Sequence, residues 1–136
     1  MVANQNINRS GLVIFAKDLQ RVANFYMKTL VLQVVEQDES YIVLHGEGIE
    51  IVVLQIRPEI SAAITISDPP EVREGTPFKP AFFVDSFSDI REIIVEAGGT
   101  LQPMESAWQF QNTLVLDGTD PEGNVVQFRQ LIANNE

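Results

Sequence analysis

Apolar residues fall along this 136-residue chain in a strand rhythm and a helix rhythm, and the combination is written twice. Residues 12–16 (LVIFA) are a short apolar run of buried-strand character. Asp18 then stands as a helix N-cap. Leu19, Val22, Phe25, Tyr26 and Leu30 recur at helical spacing, predicting an amphipathic helix over residues 19–29. Residues 32–37 and 41–44 are strand-like. His45-Gly46-Glu47-Gly48 reads as a turn, because glycine takes positive φ freely. Residues 49–56 (IEIVVLQI) are a long β-branched run that Arg57-Pro58 ends.

A connector follows over residues 58–77, punctuated by Pro58, Pro69, Pro70, Gly75 and Pro77, with a brief strand expected at 63–66. The second half then repeats the first. Residues 80–84 (PAFFV) read as a strand, and Ser86 with Asp89 as a capping box. Ile90, Ile93, Ile94 and Ala97 form a helical stripe stopped by Gly98-Gly99. A strand begins at residues 100–103, and another over 110–117 is expected to end in a turn at Asp117-Gly118. Asp120-Pro121-Glu122-Gly123-Asn124 is a tight turn, residues 125–131 are the closing strand, and residues 133–136 are a polar tail expected to fray.

The order is that of two βαβββ units, an internal duplication. An offset of 68 lays Gly11 on Lys79, Phe15 on Phe83 and Val22 on Ile90, while an offset of 77 lays Glu50 on Gln127. The nine extra residues fit a longer hairpin in the second unit, around residues 105–111.

Composition narrows the function. An apolar fraction of 45% over 136 residues supports one domain with its own core. Nine Lys and Arg against 19 Asp and Glu give a net charge of −10, which disfavours nucleic acid and anionic lipid and weakly favours cationic small molecules. The chain has no Cys, which excludes a thiol nucleophile and a cysteine metal site, and its one His, His45, excludes a three-histidine site. The polar stretch 1–10 does not read as a signal peptide, and no apolar run approaches the roughly 20 residues of a membrane span. A soluble cytoplasmic protein is the expectation.

Three stretches carry a family resemblance: Lys17-Asp18-Leu19 through Asn24-Phe25-Tyr26 and Leu30; Phe83-Val84-Asp85 with Ala97-Gly98-Gly99; and Trp108 followed by Asp120-Pro121-Glu122-Gly123-Asn124-Val125-Val126-Gln127-Phe128. In this order the sequence resembles the vicinal oxygen chelate superfamily: glyoxalase I, the extradiol dioxygenases and the bleomycin-resistance proteins. The resemblance spans about residues 11–131. It implies an α+β fold of two βαβββ repeats (residues 11–57 and 78–131), whose curled mixed sheets form a cup with the helices on the outer face. It also implies a homodimer.

Metal-dependent members place four ligands in the cup. Carried over, those positions are Gly11, Glu50, Lys79 and Gln127. Only Glu50 is an ordinary ligand type, since glycine has no side chain, lysine is a cation and glutamine offers a neutral carbonyl. The resemblance therefore implies a degenerate metal site and no cofactor. In one reading Lys79 pairs with Glu50 across the vacated volume; in the other it points to solvent. His45 is a solvated turn residue or a catalyst. Trp108 and Phe110 either cover the cup or stack on a planar ligand. Phe15, Tyr41, Phe83 and Arg129 share the inward parity and line the cup, Arg129 being the one candidate to hold a ligand carboxylate.

The leading functional expectation is a small organic ligand, cationic or aromatic, bound in the cup without metal. The alternative is an enzyme: a lyase, isomerase or dioxygenase holding zinc, nickel, manganese or iron through Glu50, His45 and Gln127, or a metal-free catalyst using Lys79 and Glu50 as acid and base. No catalytic residue is assigned from the sequence.

Overall fold

A computed structural model describes residues 9–75 and 78–132. The first unit runs β1 (Ser10–Ala16), α1 (Leu19–Leu30), β2 (Gln33–Gln37), β3 (Tyr41–Gly46) and β4 (Ile49–Gln55). A short helix, α2 (Pro58–Ser61), opens the connector. The second unit runs β5 (Ala81–Val84), α3 (Phe87–Glu96), β6 (Thr100–Leu101), a 3-10 turn (Met104–Ser106), β7 (Trp108–Phe110), β8 (Thr113–Thr119) and β9 (Val125–Leu131). Most of the polar stretch at 1–10 and the whole tail at 133–136 lie outside the described residues.

Each unit folds its strands into one mixed sheet. The first has the order β1-β4-β3-β2, and the second β5-β9-β8-β6, with β7 also on β8. β1 runs parallel to β4, and β5 parallel to β9, as a crossover through a helix requires. The result is the expected α+β fold of two curled βαβββ sheets.

Asp18 caps α1, its carboxylate accepting from the Arg21 N–H at 3.2 Å. Ser86 caps α3 in the same way, accepting from the Asp89 N–H at 3.4 Å. The apolar stripe of α1 buries Leu19, Val22, Phe25 and Tyr26, each contributing about 1.5–3 kcal/mol. One hydrophobic core holds these together with Ile42, Leu44, Ile51 and Val53 of the first sheet and Leu116, Val126 and Phe128 of the second. Strand alternation leaves the opposite face of each sheet open.

The units are stitched by polar groups of the 120–124 turn. Glu122, whose side chain is 2% exposed, accepts from the N–H groups of Lys17 at 2.9 Å and Asp18 at 2.7 Å. Asp120 is fully buried and takes the Tyr26 hydroxyl at 2.8 Å.

Several local expectations are corrected. His45 and Gly46 continue β3, and the turn is Glu47-Gly48 alone. Asp117 and Gly118 lie inside β8; the reversal before it is at Gln111-Asn112, so Phe110 belongs to β7. β6 is shorter than the stretch 100–103, and the residues at 63–66 are turn and loop rather than strand.

Candidate functional site

Two open faces emerge, one per sheet. On the first, Gly11 of β1 stands beside Glu50 of β4, which stands opposite His45 of β3. The His45 Nε2 and Glu50 Oε2 atoms are 2.8 Å apart, with both side chains partly exposed. Arg9 Nη1 lies 3.2 and 3.3 Å from the two ring nitrogens of His45. Two rows further, Phe15 stands beside Leu54, which stands opposite Tyr41. The Tyr41 hydroxyl donates to the Glu36 carboxylate, and this bond raises its pKa.

On the second face a single row crosses four strands: Phe83 beside Arg129, Arg129 opposite Val115, Val115 opposite Trp108. The Arg129 guanidinium carbon lies 5.7 Å from the Phe83 ring centre and 5.0 Å from that of Phe110. Trp108 meets Phe110 edge to face at 6.1 Å. Arg129 Nε donates to Gln127 Oε1 at 2.8 Å, which fixes the guanidinium in its place between the rings. Beneath this cluster Val115 is fully buried, although it lies on the open side of the sheet. In the next row Ala81 stands beside Gln127, and Gln127 opposite Asp117. Lys79 Nζ donates to Asp117 Oδ2 at 2.9 Å.

The structure thus gathers Phe83, Trp108, Phe110, Gln127 and Arg129 in one cluster, with Lys79 at its border. Gly11, Phe15, Tyr41 and Glu50 belong to the other sheet's open face. The two faces approach each other where β1 meets the start of β5: Val13, Phe15, Phe78, Pro80 and Val125 help line a shallow cavity of about 280 Å³ there.

The Lys79–Glu50 pairing is overturned. Lys79 takes Asp117, and Glu50 takes His45. The backbone ladder gives the reason: Gly11 stands beside Glu50, but the residue beside Gln127 is Ala81, two past Lys79. A slip of two keeps the face and changes the neighbours. Arg9 and Asp117 were missed. The signal for Asp117 was its even spacing to Val115 and Thr113 along an apolar run, masked by the following glycine.

The four positions carried over from metal-dependent proteins do not fit a divalent ion. Gly11 has no donor, the Lys79 ammonium is ion-paired, the Gln127 carbonyl is taken by Arg129, and the Glu50 carboxylate by His45. Among the described residues no group of three His, Asp or Glu side chains is placed to hold a metal.

A larger cavity, about 760 Å³, lies elsewhere, at the start of α1 between Lys17, Arg21, Asp38, Gln55 and Glu122. Its polar groups are committed to structure: Glu122 to the two N–H groups above, and Gln55 to the Lys17 carbonyl at 2.7 Å.

No protein-family model matches the chain, and no curated protein matches it in sequence. Solved structures do match. A glyoxalase/bleomycin resistance protein/dioxygenase family enzyme from Burkholderia phytofirmans PsJN superposes with a TM-score of 0.67 at 18% identity, covering 90% of this chain and 97% of that one. The chain has the glyoxalase/bleomycin-resistance fold. A glyoxalase-related enzyme from Fulvimarina pelagi shares that fold at TM-score 0.62 and 17% identity, over 93% of this chain and 88% of its own. So does the fosfomycin resistance protein FosX from Mesorhizobium loti, at TM-score 0.60 and 12% identity, over 96% and 93%. This fold hosts several chemistries, so the site must carry the functional argument.

Proposed function

We propose that this protein binds a small organic molecule on the open face of its second sheet, without a metal ion. The observation that carries the reading is the row Phe83, Arg129, Val115 and Trp108 with Phe110 beside it: aromatic surface around one fixed polar group. Small-molecule sites combine apolar lining with a few placed polar groups in this way. The chain has one Trp, so fluorescence reports on the site directly. A thermal-shift screen of several hundred planar compounds, followed by Trp108 quenching, is expected to give saturable binding, and calorimetry to show that Trp108→Ala abolishes it. A screen with no hit, or binding untouched by Trp108→Ala, overturns the reading.

Phe15 and Phe83, at matching places in the two repeats, are each 63% exposed. We read these faces as covered by a second copy of the chain, and sedimentation of the purified protein at dimer mass tests that.

A second reading rests on the 2.8 Å contact of His45 with Glu50. A histidine oriented by a carboxylate is suited to moving a proton. Conversion of a bound ligand, lost in His45→Asn, supports it; recovery of every ligand unchanged overturns it.

A further inference from the structure

We infer that the ligand of the second sheet is an anion, a planar molecule bearing a carboxylate that Arg129 receives; this rests on the binding role proposed above. Arg129 differs from the chain's paired cations. Arg21 and Lys79 each face a carboxylate, at 3.6 and 2.9 Å. Among the described residues no carboxylate lies within ion-pair distance of Arg129, and its only hydrogen bond is the one from Nε to the neutral Gln127 carbonyl. The Nη1 and Nη2 groups, the fork that matches a carboxylate oxygen for oxygen, are left without an acceptor.

The surroundings select the same chemistry. Phe83 and Phe110 hold the guanidinium at 5.7 and 5.0 Å, so their π faces are already turned to a cation. A cationic ligand entering here meets like charge. The carboxylate in the neighbouring row, Asp117, is neutralised by Lys79 at 2.9 Å and leaves the positive charge of Arg129 uncancelled. Trp108, about half exposed and beside Phe110, offers a surface for the ligand's ring. The net charge of −10 favours the opposite sign of ligand at long range, but that field is screened beyond about 8–10 Å, whereas Arg129 acts at contact.

The test uses three probes of one shape: 4-phenylbenzoate, its neutral carboxamide, and 4-phenylbenzylamine, titrated calorimetrically into the full chain at pH 7. The carboxylate is expected to bind roughly tenfold tighter than the amide, with the amine weakest. Arg129→Gln is expected to erase the carboxylate's advantage over the amide, while Arg129→Lys keeps part of it. Circular dichroism checks that both variants fold. Equal or tighter binding of the amide or amine, or a carboxylate preference surviving in Arg129→Gln, overturns the inference and leaves the binding role standing. Failure of all three probes, with a silent screen, overturns both.

Discussion

The Tyr26 hydroxyl donates to Asp120 at 2.8 Å across the junction of the two units, both side chains being buried. Burial first, and then the Asp120 charge and hydrogen bond, hold the Tyr26 pKa well above its ordinary value of 10.0. A group whose folded pKa is raised gives its full stabilisation below the unfolded pKa and loses it as pH climbs. Urea unfolding is therefore expected to show constant stability from this pair up to about pH 9 and a decline above pH 10. Tyr26→Phe should cost about 1–2 kcal/mol at pH 7 and flatten the alkaline decline.

Glu122→Ala takes the acceptor from two part-buried N–H donors, those of Lys17 and Asp18. The expected loss is about 3 kcal/mol, measured by chemical denaturation. Glu122→Gln keeps one acceptor oxygen and should lose less.

A Cβ added to Gly118 would stand 2.3 Å from the Thr100 carbonyl oxygen, a backbone atom that cannot swing aside. Gly118→Ala is expected to force β6 from β8 and to lower stability by about 2–3 kcal/mol. Faster amide exchange at Gln102, whose N–H donates to the Asp117 carbonyl at 3.0 Å, than in the parent protein checks that the damage is local.

Incubation with a chelator should leave the melting temperature unchanged. Elemental analysis after nickel, zinc, manganese or iron(II) loading should give less than about a tenth of an equivalent per chain. Retention of a full equivalent through desalting would show a donor set outside the four positions considered.

The helices and their caps were legible because periodicity and capping chemistry are local: Asp18 and Ser86 each announce a helix within four residues. The strand boundaries failed at two glycines for one physical reason. Gly46 and Gly118 were read as turn formers, yet neither takes positive φ. Each is small because something packs against it, the Leu32 side chain on Gly46 and the Thr100 carbonyl on Gly118. That need arises between elements and leaves no trace in the local sequence. Parity put Phe83 and Arg129 on one face, since alternation survives small errors of register, and the expanded hairpin singled out Trp108 and Phe110. Pairing of individual charges did not survive them: His45 reaches Glu50 because both lie on one ladder row, which the sequence spacing does not disclose.

Along β9, Val126 and Phe128 supply the core while Gln127 and Arg129 supply the open face. Neighbours in sequence therefore answer to different constraints. A mutation at an open-face position changes what the sheet can hold and leaves the interior as it was. Because the duplication provides two such faces on one shared core, the side chains of one face can change while those of the other stay as they are.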